Sequence, residues 1–79
     1  PKYRFENELT IDTKTLGVSL FVEKGKITSI ALSGNYLSLK EKEDIQTTLL
    51  NCSHRHAALE TRLKAYPSVL INHLLACCF

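Results

Sequence analysis

The chain has 79 residues, enough for one small domain and too few for two. It is 44% hydrophobic and 23% charged, ordinary values for a folded globular chain, and carries a formal net charge of +2. That charge is weak and evenly spread, which argues against a nucleic-acid or anionic-membrane partner, and no apolar run approaches the roughly 20 residues that span a bilayer.

Tyr3, Phe5, Leu9 and Ile11 occupy alternate positions near the start. A first strand is expected over roughly Tyr3–Thr13, with Asn7 breaking the apolar series as a bulge or an edge position. Asp12-Thr13-Lys14-Thr15 reads as a polar turn. The centre of the chain follows, a β-hairpin over Leu16–Leu32. Leu16, Val18, Leu20 and Val22 recur at every second residue, so one strand face is apolar, and Phe21 lies on the other. Glu23-Lys24-Gly25-Lys26 interrupts the pattern, and Gly25 can take the positive φ of a tight hairpin. The return strand is read with Thr28, Ile30 and Leu32 on one side and Ile27 and Ala31 on the other. Three strands this close in sequence default to an antiparallel meander.

Gly34-Asn35 ends the third strand, and Tyr36-Leu37 connects it to a helix. Ser38-Leu39-Lys40-Glu41 has the capping-box pattern, Ser at the cap and Glu three residues on. The helix is expected to end near Asn51. Its inner face is read as Leu39, Ile45, Leu49, Leu50 and Cys52, and its wet face as Lys40–Asp44. Ser53 is expected to cap a second helix over Ser53–Ala65. Ala58, Leu59, Leu63 and Tyr66 form its stripe, and Glu60 and Lys64 form an i,i+4 pair outside. Pro67 ends that helix and Ser68 is expected to cap the last one. Val69–Phe79 is apolar on nearly all sides, relieved by Asn72 and His73. Such a helix needs cover all round, so part of it is expected to meet something outside the domain.

Few residues suggest chemistry. Cys52-Ser53-His54-Arg55-His56 is the only group of soft ligands. On a helix Cys52 and His56 share a face while His54 points away, and no second group completes four ligands. His73 and Cys77 form an i,i+4 pair on another element. A Cys52–His nucleophilic dyad lacks an orienting third group. Glu41 with Asp44, and Glu6 with Glu8, read as solvated charge rather than acid–base pairs. Gly17, Gly25 and Gly34 are isolated, so no phosphate-cradling loop exists. The site reading is therefore no catalytic, cofactor-binding or metal residue in this chain, with the role of Cys52, His54 and His56 open.

The three cysteines are read as reduced thiols of an intracellular protein, since the neighbours Cys77 and Cys78 are poorly placed to bridge. No leader is evident at the start. The chain begins at Pro1 and holds no Met, which suggests a piece of a longer protein or a processed chain.

Gly17-Val18-Ser19-Leu20-Phe21-Val22-Glu23-Lys24-Gly25-Lys26-Ile27-Thr28 resembles the hairpin in the small C-terminal accessory domain of lipoate–protein ligases. Pro1-Lys2-Tyr3 is similar to the Pro-x-aromatic start that follows the linker from their catalytic domain. Gly34-Asn35-Tyr36-Leu37 resembles their Gly-Asp-Phe-Phe-like segment, although Asn35 and Tyr36 depart from it. Asn51-Cys52 falls where the family often places a small residue between helices.

The resemblance implies a non-catalytic accessory role over residues 1–79. The parent would be an ATP-dependent ligase that forms lipoyl-adenylate and transfers the lipoyl group to a lysine of lipoyl domains. ATP, Mg and lipoate are implied for that parent, none of them bound by this chain. The family's Arg-Arg and Gly-Gly-Gly motifs and active-site lysine belong to the larger N-terminal domain and are absent here. The implied partners are the catalytic domain and, indirectly, the lipoyl-domain acceptors. The implied compartment is cytoplasmic, or mitochondrial in a eukaryote.

The fold class expected is α/β, an α+β two-layer arrangement. A three-stranded antiparallel sheet is covered on one face by two or three helices, similar in layout to the scaffold proteins of iron–sulfur cluster assembly. Two alternatives stay open, a sulfur- or cluster-handling scaffold and a general protein-interaction module.

Overall fold

The computed structural model describes residues 2–79. The elements run β1 (Lys2–Ile11), β2 (Lys14–Glu23), β3 (Lys26–Ser33), α1 (Leu39–Leu49), α2 (His56–Arg62) and α3 (Ser68–Cys78). The strands form one antiparallel sheet in the order β1-β2-β3. The expected meander and α+β layout are therefore present. Pro1, part of the expected start motif, lies outside the described residues.

Alternation builds the sheet's two faces. Leu16, Val18, Leu20 and Val22 of β2 are buried under the helices, joined from β1 by the partly buried Phe5, Leu9 and Ile11. Phe21 faces the open side, where Lys2 and Arg4 lie over its ring at 4.8 and 5.8 Å. Lys24 (φ 55) and Gly25 (φ 76) both take positive φ between the paired Glu23 and Lys26, as a two-residue hairpin matched to strand twist requires. Asn7 is no bulge: β1 pairs with β2 without a register break from Lys2↔Glu23 to Ile11↔Lys14. β1 is nevertheless an edge strand.

The register does break on β3. Phe21 pairs with Ser29 but Val22 pairs with Ile27, so Thr28 is the extra residue of a β-bulge. The bulge reverses the parity of everything before it. Ile27 is fully buried and shares the core face with Ile30 and Leu32, while Thr28 is exposed. The reading that put Ile27 outward with Ala31 and Thr28 inward is corrected by that single insertion.

α1 begins with the expected capping box. The Glu41 N–H donates to Ser38 Oγ and the Ser38 N–H donates to Glu41 Oε1. Ile45 and Leu49 are buried on β3, but Leu39 is 71% exposed and Leu50 is exposed too. Leu39 is the first helical residue and points away from the sheet, so it does not join the inner face. Asn51 (φ 66) follows the C-cap Leu50 in the left-handed conformation that often ends a helix.

α2 does not begin at Ser53. The chain from Asn51 to His54 runs along the outer edge of β3, and Ser53 forms a bridge with Lys26. Asn51 N–H donates to Ile27 O, Ile27 N–H to Cys52 O, and His54 N–H to Gly25 O. Residues bound to a strand cannot also start a helix, so α2 is shortened to His56–Arg62, with Arg55 as N-cap. Its stripe survives, with Leu59 and Leu63 fully buried. Lys64 falls past the helix end, so its expected pairing with Glu60 within a helix is lost. Ser68 is likewise a helical residue rather than a cap, because Pro67 takes the N-cap position.

α3 packs on β1, β2 and α2. Leu70, Ile71, Leu74, Leu75, Cys77 and Cys78 are all buried within the domain. Ser68, Val69, Asn72, Ala76 and the following Phe79 remain exposed. The apolar helix is thus covered mainly by its own sheet.

Candidate functional site

Among the described residues, the candidate functional side chains gather in the following places. The first is the end of α3. The strap that closes β3 carries His54 to this point, where its ring stacks on Phe79 at 4.5 Å and lies against Phe5 at 4.7 Å. His54 Nε2 is 2.8 Å from the Cys78 carbonyl, so that nitrogen carries the proton and donates to it. His56 lies beside the other part of the same aromatic group, 6.3 Å from the Phe79 ring. Asn7 Nδ2 donates to the Cys77 carbonyl at 2.8 Å. Two of the last carbonyls of α3, which lack helical partners, are therefore satisfied by side chains from the strap and from β1.

The thiols sit beneath this end. Cys52, Cys77 and Cys78 are buried and free. Burial pushes the Cys78 thiol up to about 12, with the neighbouring Cys77 and Cys52 adding to the rise. Burial pushes Cys77 up as well. Cys52 Sγ donates to the Ser53 carbonyl at 3.4 Å. A thiol that burial keeps neutral, as at Cys77 and Cys78, is the opposite of what a nucleophile or an iron–sulfur ligand requires, since both need the thiolate. Cys77 and Cys78 therefore lend the scaffold alternative no support.

The second place joins α3 to the connection after β3. His73 Nδ1 is 3.2 Å from the Tyr36 hydroxyl, and the rings meet edge to face at 5.5 Å. His73 therefore faces Tyr36. The same connection is tied to β2. Thr15 N–H donates to Asn35 Oδ1 at 2.9 Å and the Tyr36 N–H donates to Thr15 O at 2.9 Å. Gly34 holds φ 89, and a Cβ there would overlap the Thr15 carbonyl. Asn35, a departure from the acidic residue of the resembled motif, thus accepts a backbone N–H on its side-chain oxygen.

The third place is the open face of the sheet. A shallow groove of ≈ 390 Å³ is lined by Glu6, Asn7, Glu8, Gly17, Val18, Ser19 and Ser33. Gly17 deepens it, since a Cβ there would overlap Ser33 Oγ. Arg4 Nη2 donates to Glu6 Oε2 at 2.6 Å along its rim. The groove holds carboxylates but no base paired to a nucleophile.

The residues singled out from sequence are thus only partly brought together. His54 and His56 share Phe79, Cys52 and Cys78 lie close enough to influence each other, and His73 stands apart. Among the described residues, no three His, Cys, Asp or Glu side chains converge on a common point that would hold a metal. Glu41 is held below the usual carboxylate range by its hydrogen bonds from Ser38, a helix-capping role. Phe5 and Phe79, which frame His54, carry no local signal in the sequence because they lie at opposite ends of the chain. Gly25 and Gly34 occupy separate turns, and Gly17 lies within a strand.

Comparison with known families decides what the geometry alone leaves open. Residues 1–73 match the family described as the bacterial lipoate protein ligase C-terminus. The chain belongs to that family. It is also 27% identical over 66 residues to Lipoate–protein ligase 1 of Staphylococcus aureus (strain Mu50 / ATCC 700699). That alignment covers 84% of this chain and 20% of the relative, so the chain spans about one fifth of the relative's length. As a ligase C-terminal domain, the chain keeps the family match through β1–β3, α1, α2 and the first half of α3. The Cys77, Cys78 and Phe79 end of α3 lies beyond the matched residues.

Proposed function

We propose that this chain is the non-catalytic accessory domain of an ATP-dependent lipoate–protein ligase. It docks on the catalytic domain, supports formation of lipoyl-adenylate, and moves as the lipoyl group is transferred to a lysine of a lipoyl domain. The observation that carries this reading is the family match over residues 1–73 in a chain that spans a fifth of a ligase. The chemistry of the side chains supports it. Several of the groups that could serve as a base or nucleophile have another task. His54 donates to a helix end, His73 faces Tyr36, and the three thiols are buried. On this reading ATP, Mg and lipoate are bound by the companion domain, where adenylation and transfer would take place.

Addition in trans tests the role. A matching catalytic domain, supplied with lipoate, ATP and Mg, is assayed for pyrophosphate release with and without these 79 residues. The expected result is a saturable gain of about tenfold or more, which corresponds to a little over 1 kcal/mol of support for the activated complex. No gain at saturating chain would remove the accessory role, and turnover by the chain alone would remove its non-catalytic character.

A further inference from the structure

The two edges of the sheet are treated differently. The outer edge of β3 is closed by the chain itself. The strap at Asn51–His54 bonds to Gly25 and Ile27, and the Leu32 N–H donates to Gln46 Oε1 at 2.8 Å. The outer edge of β1 has no such cover. Thr15 of β2 spends its N–H on Asn35 and its carbonyl on Tyr36, so the Thr10–Thr15 pair exchanges no ladder bonds. Antiparallel pairs alternate in this respect. The backbone groups of Arg4, Glu6, Glu8 and Thr10 therefore point outward, as do those of Lys2. Among the described residues, no backbone group bonds to that edge. A bare strand of 10 residues is a template for a further strand.

We propose that β1 pairs antiparallel with β1 of a second copy of this chain, about a two-fold axis at Phe5, merging the two sheets into one. The charges on the open face fix this register. With Phe5 opposite Phe5, Lys2 faces Glu8 and Arg4 faces Glu6, and symmetry repeats both pairs. Each charged pair is then of opposite sign. A slip of two residues one way sets Arg4 against Arg4, and the other way sets Glu6 against Glu6. A slip of one residue reverses the faces of the added strand. On the helix side, the partly buried Phe5 meets its own copy, and Tyr3, 57% exposed, meets Asn7. Phe79 and His54, stacked beside Phe5, extend that apolar border. The ion pair between Arg4 and Glu6 of one chain is solvent-exposed and contributes little, so trading it for the pair between chains costs little. This pairing stands independently of the accessory role.

Sedimentation equilibrium of the 79-residue chain, from about 10 µM to about 1 mM, is expected to show reversible dimers. Arg4→Glu alone and Glu6→Arg alone each turn two attractive pairs into repulsive ones, and each should raise the dissociation constant about tenfold. An equimolar mixture of R4E and E6R should recover the dimer, because unlike pairs reform between the chains though not within either. Circular dichroism of each variant confirms the fold. In the unsubstituted chain, exchange of the Arg4, Glu6 and Glu8 amides should slow as concentration rises. A chain that stays monomeric throughout, or a dimer indifferent to both charge reversals, would overturn the proposal.

Discussion

Cys78 shows how one buried group makes stability depend on pH. Its thiol stays neutral in the folded chain up to about 12, whereas an unfolded thiol ionises near 9.0. The unfolded state therefore sheds its proton first. The contribution is complete below pH 9 and is lost as pH rises toward 12. Its size is on the order of 3–4 kcal/mol, a large part of what a small domain has. Melting temperature should fall steeply over that range. Cys78→Ala should melt lower at neutral pH, through the cavity it leaves, but lose much less as pH rises. Parallel curves for the two proteins would show that Cys78 ionises as easily folded as unfolded. Sequence alone marked Cys78 only as a thiol beside Cys77. Its environment comes from the sheet and strap packed over it, which no local pattern announces.

At the scale of elements, what could be read in advance was what is local. The capping box of α1 joins residues three apart and holds as expected. Ser38→Ala should cost about 1 kcal/mol and lower the melting temperature by about 4–8 °C. A shift under about 1 °C would mean that the first turn is held by other contacts. The hairpin was equally legible, since alternation and Lys24-Gly25 act over a few residues. Several of the misreadings arise where residues distant in sequence compete with the local pattern. Ser53 has the composition of a helix cap, but Lys26 across the molecule claims it for the sheet. Ile27 sits out of phase because Thr28 adds a residue that β2 does not match. His54 was visible as a polar residue at a junction, but its neighbours Phe5 and Phe79 are joined to it only by the fold.

For the whole molecule, shape and stability are one question. A chain of this size buries only about 60–65% of the surface it exposes when unfolded, so its margin is narrow. Its core is the single layer between the sheet and the helices, and the proposed accessory role depends on that layer staying intact. Val22 is 4% exposed in that layer, at the end of the buried row of β2. Val22→Asp would place a carboxylate where the described residues offer it no counter-charge. The cost of several kcal/mol is comparable to the whole stability of such a domain. Cooperative melting should disappear, and with it the gain in pyrophosphate release when the variant is added to the catalytic domain. Leu39→Ala is the matched control. Sequence periodicity places Leu39 in the same core, but it is 71% exposed and its truncation should change stability by less than about 0.5 kcal/mol. It should melt normally and support adenylation fully. If L39A supports adenylation poorly while melting normally, Leu39 lies on the docking surface itself. If V22D melts like the parent chain, the face of β2 has been assigned the wrong way round.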